Sequence, residues 1–131
     1  MDETRFQKGL DMRKSVLGGE YVDKTLAQAD GFSRPFQEMM TEYCWGFGWG
    51  DDVLDKRTRS MLNLCMIAAL NRMHEWELHL RGALTNGVSV VEIRACIHQV
   101  AIYAGVPAGV ECFRIAKRVL AEEGVDTTGL D

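Results

Sequence analysis

The chain has 131 residues, of which 47% are hydrophobic and 26% charged, and its formal net charge at pH 7 is -4. This composition is typical of a globular protein and excludes disorder, and the acidic balance argues against a nucleic-acid partner, because phosphate contacts need clustered Lys and Arg. The longest apolar run, residues 64–70, is too short to span a bilayer. The acidic start Met1-Asp2-Glu3 is followed by no apolar segment, so we expect no secretory signal, no membrane partner and a cytoplasmic location.

The length predicts a single domain over residues 1–131, large enough to bury a core of its own. The four cysteines are widely separated and form no C-x-x-C pair, so the sequence predicts neither a zinc knuckle nor a dithiol redox centre; they are Cys44, Cys65, Cys96 and Cys112. Three of them lie in apolar surroundings without a basic neighbour. We therefore expect buried, reduced thiols with no lowered pKa.

Apolar residues recur at helical spacing along nearly the whole chain, and no sustained alternating run of β-branched residues is present. This pattern predicts an all-α fold of about six to seven helices. The first helix runs to about Leu17, a second segment begins near Tyr21, and a third helix spans about residues 35–46. Residues 46–54 are rich in glycine and are predicted to form an irregular loop with tight turns around Trp49.

The next helix is predicted to follow a cap at Asp55 and to run to about Leu70. Because it is apolar on almost every side, we expect it to be the central, buried helix. Asn71 is a plausible stop for this helix and a plausible cap for the following one, which ends at Asn86-Gly87.

Two further helices complete the prediction. Ser89 and Glu92 form a capping box for a helix that Gly105 closes. Pro107 then starts a final helix, which ends at Gly124.

Residues 71–84 are richer in acid-base groups than any other stretch, with two histidines, two glutamates and two arginines. On a helix that turns about 100° per residue, Arg72, Glu75 and His79 share one stripe. His74 and His79 are five positions apart, about 140° around the helix, so they do not form the two-histidine metal site of an H-E-x-x-H motif. The simpler alternative is a solvated face with ordinary salt bridges.

Several separated pieces of sequence together carry a family resemblance. They are residues 12–18, 21–22, 45–46, 49, 54–60, 71–72, 74–75, 79–84, 86–88, 92–93 and 103–108. In order and spacing, the chain resembles over about residues 9–120 the γ-carboxymuconolactone decarboxylase family, within the superfamily of the alkyl hydroperoxide reductase partner. The resemblance implies the helical fold of that superfamily and a homo-oligomer, either a trimer or a hexamer. The C-x-x-C pair of the peroxidase branch is replaced here by Arg72 and Glu75, so thiol peroxidase activity is not expected.

The resemblance implies decarboxylation of 4-carboxymuconolactone, or of a close butenolide acid, to the 3-oxoadipate enol-lactone. This step belongs to protocatechuate degradation, the beta-ketoadipate pathway of aromatic compound catabolism. Neither a cofactor nor a metal is expected, because the conjugated lactone accepts the electrons that carbon dioxide leaves behind. His79 is the expected proton donor, since its ordinary pKa lies near neutrality, and Glu75 orients the imidazole and raises its pKa or relays the proton.

The substrate-binding residues are predicted in the same way. Arg72 is the expected clamp for a substrate carboxylate, with Arg57 or Arg59 as alternatives. Trp45 and Trp49 are expected to wall the pocket, although Trp45 is equally well explained as a core residue.

Two features depart from the family pattern. Gly50-Asp51-Asp52 stands where a basic residue is common and would repel a dianion, and Trp76 replaces an aliphatic residue. A related lactone or enol isomerase and a non-enzymatic oligomeric binding module therefore stay open.

Overall fold

The computed structural model describes residues 1–130, which form two compact units, residues 1–56 and residues 57–130. The regular elements of the described residues are all helices, which confirms the all-α prediction. None of these helices combines the length and the apolar character needed to cross a membrane. The single domain over residues 1–131 stays a prediction.

The first unit consists of α1 (Glu3–Leu17), α2 (Gly19–Ala27) and α3 (Arg34–Met39), and α3 continues directly into a π-helical segment, Met40–Gly48. The predicted end of α1 at Leu17 is confirmed. The third predicted helix is present but changes from α to π geometry at Met40 and reaches Gly48, two residues beyond the predicted end.

Glycines of the first unit bring α1 close to the π-helical segment. A Cβ atom on Gly9 would lie 1.9 Å from the carbonyl oxygen of Thr41, and one on Gly46 would lie 2.4 Å from that of Arg5. The predicted irregular loop over residues 46–54 is wrong for residues 46–48, which belong to the π-helical segment, and the glycines at 46, 48 and 50 do not have positive φ angles. Gly9 and Gly46 permit the close packing of α1 against the π-helical segment.

The second unit contains α4 (Lys56–Ala69), α5 (Met73–Thr85), α6 (Val90–Ala104) and α7 (Val106–Glu122). The side chains of its core come from all four helices and include Leu64, Ala68, Trp76, Leu80, Ile93, Ile97, Cys112, Ile115 and Val119. The helix ends match the prediction at α6 and α7.

Local signals explain these ends. The side chain of Ser89 accepts from the backbone of Glu92 and the side chain of Glu92 accepts from the backbone of Ser89, which is the predicted capping box. Gly105 and Gly124 have positive φ angles of 119° and 72° at the ends of α6 and α7, and Pro107 lies in the first turn of α7.

Two predictions about α4 and α5 are wrong. The expectation that α4 is buried on almost every side fails, because Leu62, Met66 and Leu70 are 45%, 54% and 68% exposed. A uniformly apolar run does not reveal which of its faces the neighbouring helices cover. Asn71 does end the preceding helix, in the left-handed conformation with φ 60°, but it is not the cap of α5; Arg72 holds that position without a side-chain hydrogen bond.

Candidate functional site

The rotation of α5 about its axis is set by two side chains that are completely buried, Trp76 and Leu80. The indole Nε1 of Trp76 donates to the carbonyl oxygen of Leu64 on α4 at 2.9 Å, so the side chain that departs from the family pattern anchors one helix to the next. His79 lies between these two anchors in sequence and is half-buried, whereas Glu75, on the turn before, is exposed. The core packing therefore holds the imidazole at the edge of the buried region.

Burial determines the protonation of His79. Desolvation lowers the pKa of the imidazole, and the negative charge of Glu75 raises it by a smaller amount. The predicted direction of the Glu75 effect on the pKa of His79 is correct, but burial, which the sequence analysis did not consider, has the larger effect and lowers this pKa overall. The imidazole is therefore mainly neutral at pH 7.

The start of α5 carries the other members of the predicted stripe. Arg72, at the cap position, and His74 are both exposed. Arg72, Glu75 and His79 follow each other at intervals of three and four residues on this helix, so their side chains lie along one flank. The carboxylate of Glu75 therefore lies close enough to act on the imidazole of His79, and Arg72 stands at the start of the same helix.

A different flank of α5 forms a salt-bridge network with α7. Arg81 donates from Nη2 to Glu122 and from Nη1 to Glu123, each at 2.6 Å. Glu77 accepts from Arg118, and this hydrogen bond holds the pKa of the Glu77 carboxyl below its ordinary value. For Glu77 and Arg81, the alternative of ordinary salt bridges is therefore correct.

Arg57 and Arg59, the alternative clamps, lie in the first turn of α4. The guanidinium of Arg57 donates from Nη1 to Glu92 of the α6 capping box, which holds the pKa of Glu92 at about 2. The carboxylate of Glu92 thus already accepts from part of the Arg57 guanidinium. Arg59 is half-buried and points about 200° away from Arg57 around the helix, so the two do not form one clamp.

Trp45 and Trp49 lie in the core of the first unit with Val16, at 3% and 6% exposure. Their rings are stacked, with centroids 5.0 Å apart and an angle of 20° between the planes. The core explanation considered for Trp45 fits this packing. The role of both indoles as pocket walls stays a prediction.

The acidic pair after Trp49 is exposed. The carboxylate of Asp51 accepts from the backbone N–H of Val53 at 3.0 Å and so shapes the turn that leaves the π-helical segment. Asp51 also lines an open depression of about 370 Å³ together with Arg5 and Lys8. Asp2 lines the same depression, and Arg5 is already paired with Asp2 and Glu42, so the two cations do not cancel the predicted repulsion of an anionic ligand.

The sequence prediction missed a pair of cysteines. Cys65 on α4 and Cys96 on α6 are 31 residues apart in sequence, yet the sulfur of Cys65 lies 3.8 Å from the carbonyl oxygen of Cys96. The neighbouring Cys96 side chain lowers the pKa of Cys65, and the neighbouring Cys65 together with burial raises the pKa of Cys96. Cys65 and Cys96 are half-buried rather than buried, and the lowered pKa of Cys65 differs from the expectation of ordinary thiols, whereas the absence of a dithiol redox centre stays a prediction.

Comparisons with known proteins address the family. Residues 34–118 match the carboxymuconolactone decarboxylase family. A nitrosuccinic acid decarboxylase of Metarhizium robertsii is 40% identical over 88% of this chain and 80% of its own length. A 4-carboxymuconolactone decarboxylase of Acinetobacter baylyi is 33% identical over 95% of this chain and 92% of its own length. The chain therefore belongs to the carboxymuconolactone decarboxylase family and is a carboxy-lyase.

Proposed function

We propose that the protein decarboxylates, without a cofactor, a succinate whose carbon 2 carries an electron-accepting group. The first candidate is 4-carboxymuconolactone or a close butenolide acid, as a step of aromatic compound catabolism. Nitrosuccinate is the second candidate, favoured by the 40% identity to a nitrosuccinic acid decarboxylase. The observation that carries the proposal is the half-buried imidazole of His79, with its lowered pKa, one turn from Glu75 on the helix that follows Arg72.

The two candidate substrates share one skeleton. In each, a single carbon bears the departing carboxylate, an acetate arm and an electron acceptor, which is the conjugated lactone in one and the nitro group in the other. When the bond to the carboxylate breaks, carbon dioxide leaves and the electron pair enters the acceptor as a dienolate or a nitronate. One proton then adds to carbon, and a dianion becomes a monoanion.

Each residue of the stripe has a role in this sequence of steps. The guanidinium of Arg72 holds the acetate-arm carboxylate through two parallel hydrogen bonds. His79 delivers the proton to carbon, because the two negative charges of the bound substrate raise the pKa of the imidazole and charge it. Glu75 adds to this effect from one turn away.

The proposal is tested by incubating metal-free protein with 4-carboxymuconolactone and, separately, with nitrosuccinate, while carbon dioxide release is followed. Turnover of either substrate supports the proposal. The ratio of the two kcat/KM values shows whether the enzyme prefers the conjugated lactone or the nitro group as the electron-accepting group. Conversion of the lactone to an isomer without release of carbon dioxide would identify an isomerase instead. Binding without any conversion of either compound would identify a binding module.

His79→Gln tests the proton donor. We expect kcat/KM to fall about 10²- to 10⁴-fold, the usual contribution of a general acid. His74→Gln is the matched control, because this exposed histidine of the same helix lies outside the stripe. Equal losses in the two variants would contradict the assignment.

The pH dependence separates a catalytic from a structural histidine. In the free enzyme the pKa of His79 is lowered, so kcat/KM should decrease as the pH rises through a value below 6.5. The decrease in kcat should come at a higher pH, because the bound dianion raises the same pKa. Glu75→Gln should move the pH at which kcat/KM decreases to a lower value. An unchanged pH would exclude the proposed effect of the Glu75 charge on His79.

We also propose the homo-oligomer, a trimer or a hexamer, that the family resemblance implies. The support is the exposed apolar stripe of α4, formed by Leu62, Met66 and Leu70 at intervals of four residues. Met66→Arg in the middle of this stripe should give a smaller species in sedimentation, whereas Lys24→Arg on α2 should not. An unchanged sedimentation coefficient in Met66→Arg would remove this stripe from the interface.

A further inference from the structure

A cavity of about 230 Å³ is formed by α6, α7 and the residues that follow α7. None of its lining residues belongs to α4 or α5, so it is separate from the stripe of Arg72, Glu75 and His79. We propose that this cavity is a second binding site of the protein and takes a small aromatic carboxylate of the size of benzoate. The proposed decarboxylation makes no use of it.

The walls of the cavity are mainly apolar. Ile93 and Ile97 belong to α6, whereas Ala116 and Leu120 belong to α7, and all four residues are buried. The members of each pair are four positions apart, so each helix turns one flank toward the cavity. Phe113, three residues before Ala116, adds a half-buried aromatic ring. Such walls, with a small number of polar groups among them, are typical of sites for small molecules.

The charged part of the lining is entirely cationic. Arg94 of α6 and Lys117 of α7 line the cavity, and no acidic residue is among the described residues that line it. The acidic side chains of the two helices form ion pairs with arginines outside the lining: Glu92 with Arg57, Glu111 with Arg114, and Glu122 with Arg81 and Arg118. In a chain whose net charge is -4, this local excess of positive charge favours an anionic ligand.

The segment after α7 borders the cavity on one side. Gly124 has a positive φ angle of 72°, and the N–H of Val125 donates to the carbonyl oxygen of Leu120 at 2.8 Å, so the chain turns sharply where α7 ends. Thr127 and Leu130 thereby reach the cavity and line it. The hydroxyl of Thr127 adds a neutral hydrogen-bonding group to the two cations.

Volume and charge together identify the class of ligand. An apolar cavity of about 150 Å³ holds benzene, so a cavity of about 230 Å³ has room, in proportion, for about nine non-hydrogen atoms. Benzoate has this size. Its ring packs against Ile97 and Phe113, and its carboxylate accepts from the guanidinium of Arg94 and the ammonium of Lys117.

The first experiment titrates the isotope-labelled, full-length protein with benzoate and follows the backbone amide resonances by NMR. We expect saturable shifts in residues 90–97, 113–120 and 127–130, which carry the lining. Benzamide keeps the shape without the charge, and acetate keeps the charge without the ring, so each should bind about tenfold more weakly or worse. A linear response to benzoate, equal affinities for benzoate and benzamide, or shifts centred on residues 72–79 would overturn the proposal.

Variants then test the two cations. Lys117→Gln changes an exposed side chain and should raise the Kd of benzoate about threefold, as expected for an ion pair near the surface. Arg94→Gln, at a half-buried position, should raise it about tenfold. Lys24→Gln is the matched control, because it removes the same charge from an exposed position of the first unit and should leave the Kd unchanged. Arg72→Gln should also leave it unchanged.

Two results would contradict this assignment. An unchanged Kd in Lys117→Gln would remove the charge of this lysine from the site, and with it the proposed recognition of a carboxylate. A loss of benzoate binding in Arg72→Gln would place the ligand at the stripe of α5 instead. The comparison of benzoate with benzamide needs no variant, so it tests the proposal even where Arg94→Gln does not fold.

Discussion

Trp76, which replaces the aliphatic residue usual in the family, anchors α5 to α4 and so helps to set the position of His79. Trp76→Phe measures how much this anchor contributes to stability. The substitution removes the hydrogen bond from Nε1 to the carbonyl oxygen of Leu64, made at 2.9 Å between two completely buried residues. A buried hydrogen bond contributes about 1 kcal/mol to stability. The smaller ring leaves a void of roughly 40 Å³, which at about 24 cal/mol per Å³ adds about 1 kcal/mol. The expected loss in the free energy of unfolding is thus about 2 kcal/mol.

The assay is urea unfolding followed by far-UV circular dichroism, which does not depend on the removed fluorophore. Protein concentration is held constant, since assembly would make stability concentration-dependent. Tyr103→Phe on α6 is the control, because this side chain is 82% exposed and its substitution is expected to change stability by less than about 0.5 kcal/mol. A loss below about 0.5 kcal/mol in Trp76→Phe, or an equal loss in both variants, would refute the reasoning.

Three further predictions concern stability. Gly9→Ala should destabilise the protein by about 3 kcal/mol or more in the same urea assay, because its Cβ would meet backbone atoms at 1.9 Å and 2.7 Å, whereas Gly19→Ala has open space and should be nearly neutral. The lowered pKa of Glu92 stabilises the fold above pH 4.5, so the deficit of Glu92→Gln should disappear as the pH falls through about 2. Because the folded-state pKa of His79 is lowered, protonation opposes folding; wild-type stability should fall below pH 6.5 more steeply than that of His79→Gln, and parallel curves would contradict this.

The ends of the helices were predictable because the chemistry that ends them is local. The capping box of Ser89 and Glu92 and the glycine at 105 each act within four residues of the chain. The π-helical segment was not predictable, because its register depends on the approach of Gly46 to α1, more than 30 residues earlier. The exposure of one face of α4 escaped prediction for the same reason: its sequence is apolar on both the covered and the uncovered face.

The site shows the same division. Helical spacing alone placed Arg72, Glu75 and His79 along one flank, and the structure has that helix over Met73–Thr85. The net pKa shift of His79 required knowledge of how deeply the imidazole is buried, which spacing does not contain. The contact between Cys65 and Cys96 depends on how α4 packs against α6 and therefore has no counterpart in the sequence pattern.

The lowered pKa of His79 suits the proposed reaction. An imidazolium with a low intrinsic pKa is a strong acid, so it gives its proton readily to a carbanion. It becomes charged only when a dianion lies beside it, because the opposite charges raise its pKa. The product is a monoanion that supports the imidazolium less. Carbon dioxide leaves without charge and its electron pair stays on the substrate, so one negative charge disappears only when the imidazolium gives its proton to carbon.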